Sequence, residues 1–232
     1  MNKIVGIHQP NFLPWIGYFY KIMKSDIFVF LDDVQYIKRS FINRNKIKTK
    51  NGEQYIRLPL YQKGKYKQSI VDCVLFDKEA AVDSLIKNIQ TNYGKSKYFI
   101  DYFSSFEEIL NNGTVSLVDI NISLIKWALY AMEETVDFKR SSELEGVTGA
   151  STERLISICK SVGGDRYLSG FGGNKYQDKE MFDDVNIELV ITDFEHPTYD
   201  QLWGNFIPNL SIIDLIFNCG KDSKSIILNT KC

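Results

Sequence analysis

Two continuous apolar runs open the chain, Ile4-Val5-Gly6-Ile7 and Ile27-Phe28-Val29-Phe30-Leu31, the first ending at His8 and the second at Asp32-Asp33. Continuous rather than alternating apolar positions suit strands buried on both faces, as in a parallel sheet. A stretch rich in proline and aromatics, 10–15, separates the first run from a predicted helix over 17–24. Strand, loop, helix, strand across the first 33 residues is a βαβ start, with strands 3–8 and 27–32 adjacent and joined by a right-handed crossover.

Beyond it, Asn51-Gly52 stands between strand-like runs at 43–48 and 53–60, a strong hairpin signal. Helical spacing then takes over in Val82, Leu85, Ile86 and Ile89, and in Phe99, Phe103, Phe106 and Leu110 before Gly113. Ser116 and Asp119 form a capping-box pattern ahead of Ile120, Leu124, Trp127 and Ala131. A helix over 152–162 carries Leu155, Ile158 and Cys159 on one face and stops at Gly163-Gly164. A short strand at 166–169 enters Gly170-Phe171-Gly172-Gly173, a β-rich run covers 187–191, and Ser211 to Asp214 repeats the capping-box pattern before a last helix ending near Gly220. The expected fold class is α/β, one domain over 1–232. Its mainly parallel, Rossmann-like sheet has flanking helices, a β-hairpin insertion at 43–60 and a helical section at 78–132.

Composition narrows the function classes. The 232 residues are 44% hydrophobic and 25% charged, with 28 Lys+Arg against 29 Asp+Glu, a net charge of −1. Without a basic excess, general nucleic-acid binding is not expected. Cys73, Cys159, Cys219 and Cys232 lie far apart with no histidine at ligand spacing, so no metal is expected. The N-terminus does not resemble a signal peptide and no apolar run is long enough for a membrane span, so the expected location is cytoplasmic, with reduced thiols.

The candidate chemistry collects at strand ends. Ligands of open α/β sheets bind there, which places His8 and Gln9 for function, against the plainer reading of a strand-end histidine held by a backbone carbonyl. Asp32-Asp33 ends the second strand, and alternation turns one of the two inward. Segment 35–48 holds Lys38, Arg39, Arg44, Lys46 and Lys48 with Asn43, Asn45, Tyr36 and Phe41, a composition suited to a diphosphate joined to a sugar or base, or else to a solvated hairpin face. Gly170, Gly172 and Gly173 allow close backbone approach to a ligand. His196, in Glu195-His196-Pro197, fits a ligand-orienting or structural role. No G-x-S-x-G, H-E-x-x-H or nucleophilic cysteine pattern is present.

Residues 8–18, HQPNFLPWIGY, together with Leu31-Asp32-Asp33-Val34-Gln35-Tyr36 and Asn43-Arg44-Asn45, resemble the WbqC-like protein family. Thr152-Glu153-Arg154-Leu155, Tyr167-Leu168-Ser169-Gly170, His196-Pro197 and Leu210-Ser211-Ile212-Ile213-Asp214 extend the resemblance over residues 3 to 220. It implies a role in bacterial surface polysaccharide (O-antigen, lipopolysaccharide) biosynthesis and, most concretely, N-acylation of a nucleotide-linked amino sugar. A second resemblance, to nucleotidylyltransferase and pantothenate synthetase domains, rests on Phe12-x-Pro14-x-x-Gly17 and on 165–173 with Lys175-Tyr176. The second histidine of that pattern is Tyr18 here, which speaks against adenylyl transfer.

The leading expectation is an acyltransferase with acyl-CoA, in the simplest case acetyl-CoA, as donor. His8, Asp33 and Asn45 form the catalytic set. Gln9, Asn11, Tyr36, Arg39, Asn43, Arg44, Lys48, Ser169, Gly170, Gly172, Gly173 and His196 surround the substrate. Alternatives are an ATP-dependent nucleotidylyltransferase or ligase and a non-catalytic binding protein of a glycan assembly complex. A homo-oligomer is compatible with the sequence.

Overall fold

A computed structural model describes residues 3–62, 64, 67–173, 177–192 and 194–228; Lys175, Tyr176 and Cys232 lie outside these. The opening unit forms as the apolar pattern predicts: β1 (Ile4–His8), α1 (Ile16–Met23) and β2 (Ile27–Phe30), with His8 paired in parallel to Phe30. The hairpin follows as β3 (Arg44–Thr49) and β4 (Gly52–Arg57) and is a separate two-stranded sheet. Then come α2 (Lys78–Tyr93), α3 (Phe99–Asn112), α4 (Leu117–Ala131) and β5 (Asp137–Arg140). The chain continues through α5 (Ser151–Ser161), β6 (Arg166–Ser169), α6 (Lys179–Asp183), β7 (Glu188–Ile191), α7 (Ile212–Cys219) and α8 (Ser223–Leu228).

The main sheet runs β5-β2-β1-β6-β7, every pairing parallel. Strand order therefore reverses between β1 and β6, the switch point where open α/β sheets bind ligands. Both faces are covered, which explains the continuous apolar runs. Val5, Ile7, Ile27 and Val29 pack with Ile156, Ile158 and Phe182 from α5 and α6. Phe28 and Phe30 belong to the larger core, built from α1, the hairpin, α2 to α4 and α7. Among the described residues, no helix is long and apolar enough to cross a membrane.

One strand is absent from the sequence reading, and one expectation needs correction. Strand β5 is not visible in the hydrophobic pattern, because only its Phe138 and Arg140 turn even partly inward from an edge position. The Ser211–Asp214 capping box does not form, although the Ser116 side chain does accept from the Asp119 amide. Ser211 Oγ is buried without a partner, and the Asp214 carboxylate instead accepts from the Tyr93 and Tyr199 hydroxyls, both at 2.9 Å. Burial raises the Asp214 carboxyl to about 6.

Candidate functional site

A cleft of about 650 Å³ opens at the β1/β6 switch point. One side is the end of β1 with the first turns of α1: Ile7, His8, Trp15, Gly17, Tyr18 and Lys21. The other is the end of β6 with its glycine loop, Tyr167, Ser169, Gly170, Gly172 and Gly173, joined by Gln177, Thr192 and Phe194. Its size suits a single small-molecule ligand or reacting group. A second depression of about 620 Å³ lies over Tyr199, Gln201 and Cys219, away from this sheet edge.

His8 is held in one tautomer. Its Nδ1 lies 3.0 Å from the Gln9 carbonyl, which can only accept, so the proton sits on Nδ1 and the Nε2 lone pair has no partner among the described residues. The same carbonyl accepts from the Tyr18 hydroxyl at 3.0 Å, and the Tyr18 ring meets His8 edge-on at 4.8 Å. Burial, with a smaller contribution from Lys21, lowers His8 to about 4, so the ring stays neutral across the physiological range. The plainer reading of His8, a carbonyl-held imidazole, describes Nδ1, while Nε2 remains available.

The walls follow from local sequence. Gly17 lets the Trp15 indole lie over the start of α1, where a Cβ would come within 2.3 Å of the ring. Gly170 and Gly172 face open space, and the Gly173 amide donates to the Gly170 carbonyl at 2.9 Å, closing one tight turn. Gln177 Nε2 donates to the Tyr167 hydroxyl at 3.2 Å, while its Oε1 is buried without a partner. Lys21 Nζ donates to the Ile7 carbonyl at 2.7 Å and sits 5.5 Å from the Tyr167 ring centre. Desolvation lowers it to about 7.

Of the residues expected from sequence, the structure brings His8, Ser169, Gly170, Gly172 and Gly173 together. Gln9 contributes its carbonyl, and Asn11 is buried in the loop after β1. Asp33 does not reach the cleft: it pairs with Arg154 and accepts from Ser141 Oγ at 2.6 Å. Asp32 is the inward acid, wholly buried, accepting from Arg140 Nε at 2.7 Å and from Ser141 and Ser142. Asn45 is also not in the cleft, since its amide donates to the Leu13 and Phe12 carbonyls.

The expected diphosphate cluster is dispersed. Lys48 is buried, donating to Gln201 Oε1 and the Asn205 carbonyl, which cover it although alternation puts it on the same strand face as Arg44 and Lys46. Arg44 donates to the Arg39 carbonyl and stacks on Tyr55 at 4.6 Å, and Arg39 is exposed. Tyr36 donates to Asn43 at 3.0 Å, and Asn43 donates to the Leu58 carbonyl. His196 accepts from the Asn209 amide at Nε2, so its Nδ1 carries the hydrogen donated to the Pro197 carbonyl. With both nitrogens occupied, it is not available as a base, and it stacks on Trp15 without itself lining the cleft.

Lys21, Tyr18, Tyr167 and Gln177 were not expected in the site. One signal for Lys21 was available: it stands three and four residues after Tyr18 and Gly17, on the same helix face.

Two comparisons bear on this geometry. The model of the WbqC-like protein family matches residues 9–226. The chain is also 33% identical over 223 residues to "Uncharacterized protein Rv1507c" of Mycobacterium tuberculosis (strain ATCC 25618 / H37Rv), covering 95% of this chain and 96% of that protein. No solved structure matches.

Proposed function

The chain belongs to the WbqC-like protein family, and on that premise we propose that the β1/β6 cleft is the active site of an N-acyltransferase acting on a nucleotide-linked amino sugar in surface-polysaccharide assembly. The observation that carries this reading is His8 at the switch point, neutral, fixed in one tautomer, with Nε2 unpartnered among the described residues. In the proposed reaction the sugar nitrogen attacks the thioester carbon of an acyl-CoA. An N–C bond forms, the C–S bond breaks, and the amine proton passes to His8 Nε2 and then to the leaving thiolate. The Gly172 amide is the proposed oxyanion donor, since the Gly173 amide is already spent on Gly170. At about 650 Å³ the cleft suits the reacting sugar and acyl group, with the nucleotide portions outside it.

The test is a mass-shift screen of nucleotide-linked amino sugars against several acyl donors, with His8→Asn as control. Acylated product from wild type and its loss in the variant are expected. No product from any pair, or full activity of the variant, overturns the reading.

One observation favours a second reading, an ATP-dependent nucleotidylyltransferase or ligase. The sheet order β5-β2-β1-β6-β7 with a cleft at its switch point is the arrangement of doubly wound nucleotide-binding domains. Tyr18, braced against His8, occupies the position where that pattern has its second histidine. Pyrophosphate release from ATP and Mg²⁺ with a carboxylate, and no acyl-CoA present, selects this reading.

A further inference from the structure

Among the described residues, the cation on the floor of the cleft has no counter-charge. Lys21 is 5% exposed, and the described side chains lining the cleft include no carboxylate. Its described neighbours are the Ile7 carbonyl, the Tyr167 ring, neutral His8 and Cys159, whose thiol is pushed up to about 12 by burial. Burial raises the Tyr18 and Tyr167 phenols as well, so neither supplies an anion. The acids closing β2 are already committed, Asp32 to Arg140 and Asp33 to Arg154. Among the described residues nothing neutralises Lys21, and a buried unpaired ammonium is strongly unfavourable.

A second feature meets it on the same ring. Gln177 bonds the Tyr167 hydroxyl and leaves one buried amide atom without a partner. Turning that amide over lets Tyr167 donate to Oε1 and frees Nε2–H for an anion. We infer that the floor of the cleft is an oxyanion subsite, in which Lys21 and Gln177 receive a phosphate or carboxylate group of the ligand. The inference rests on the cleft being the ligand site proposed above, but not on acyl transfer. It also moves anion recognition from the hairpin cations to α1.

Equilibrium binding of sulfate, which stays a dianion from below about pH 4 to alkaline pH, tests the subsite on the full chain, with pyrophosphate and acetate as further probes. Sulfate is expected to bind saturably, with affinity falling by about tenfold per pH unit above pH 7 as Lys21 loses its proton. Lys21→Met is expected to bind at least about tenfold more weakly, with a flat pH profile. A break near pH 4 would assign the effect to His8 and overturn the proposal. Preference for pyrophosphate identifies a phosphate ligand, and preference for acetate a carboxylate; either supports the subsite. No saturable binding of any probe, or unchanged binding by Lys21→Met, overturns it. Should that variant not fold, the wild-type pH slope decides alone. Failed acyl transfer with intact sulfate binding removes only the proposed reaction; intact transfer without anion binding removes only the subsite.

Discussion

Replacing Lys21 by Met should stabilise the protein at neutral pH and destabilise it in alkali. Folding takes this amine from an ordinary value of 10.5 to about 7, through burial. A folded-state value below the unfolded one means that the unfolded chain binds more protons between pH 7 and 10.5. Stability therefore rises with pH across that window, and the penalty is complete below it. At pH 7 the penalty is about 4 kcal/mol, at 1.36 kcal/mol per pH unit with the amine half-titrated in the folded state. Because Lys21 is 5% exposed, solvent screening removes little of it. Met fills similar volume but leaves the Ile7 carbonyl without its Nζ partner, a loss of about 1–3 kcal/mol. The net expectation at pH 7 is a gain of about 1–3 kcal/mol, or several degrees in Tm at about 2–4 °C per kcal/mol. At pH 10 the penalty has shrunk to about 1 kcal/mol and the variant becomes the less stable protein. Urea unfolding followed by circular dichroism at pH 7, 8, 9 and 10 measures the crossover. A variant less stable by the same amount at every pH would refute the reasoning.

Other perturbations separate the site from its scaffold. His8→Asn should keep the fold and lower kcat by roughly 10²- to 10⁴-fold, read by steady-state kinetics on the substrate pair found in the screen. Wild-type kcat/KM should be flat through neutrality as far as His8 is concerned and fall only as pH drops toward about 4. Asp32→Ala leaves Arg140 and two serines without their buried acceptor and should lose about 3–5 kcal/mol in urea unfolding; normal stability with a collapsed kcat would give that acid a catalytic role, which the sequence reading assigns to Asp33. Arg44→Ala should leave the KM of the nucleotide-bearing substrate within about twofold of wild type, since the guanidinium is already committed to the Tyr55 ring and the Arg39 carbonyl; a large rise would restore the hairpin as a phosphate site.

Much of the scaffold was legible because β1, up to His8, and β2 are short apolar runs buried on both sides, while β6, Arg166-Tyr167-Leu168-Ser169, stood out by the Gly163-Gly164 helix stop before it and the glycine loop after it. Edge strand β5, Asp137-Phe138-Lys139-Arg140, has only weak alternation, and its assignment depends on pairing with β2. The site was half legible. His8 and the Gly170 to Gly173 loop follow from the rule that strand ends bind ligands. Lys21 did not, because a lone lysine on a short helix ordinarily points to water, and only packing on every side of α1 buries it. The hairpin misled in the opposite sense. Its five cations look like one patch in sequence, yet Lys46 reaches outward to Glu53 while Lys48, on the same strand face, is buried beneath Gln201 and Asn205.

The switch-point geometry also fixes when the cleft can exist. Strand β1 emerges first, but its neighbour β6 follows roughly 160 residues later, an interval of about 10–30 s at ordinary rates of synthesis. Trp15 waits longer still, because its bridge to Ser211 and the Pro14–Ile212 hydrogen bond join it to the start of α7. Until then one edge of β1 carries unpaired amides and carbonyls, open to pairing with another nascent chain. Contacts of such long sequence separation form slowly. The cleft is therefore among the last parts of the molecule to assemble, and a chain stalled before Arg166 could hold β1, β2 and β5 together without possessing it.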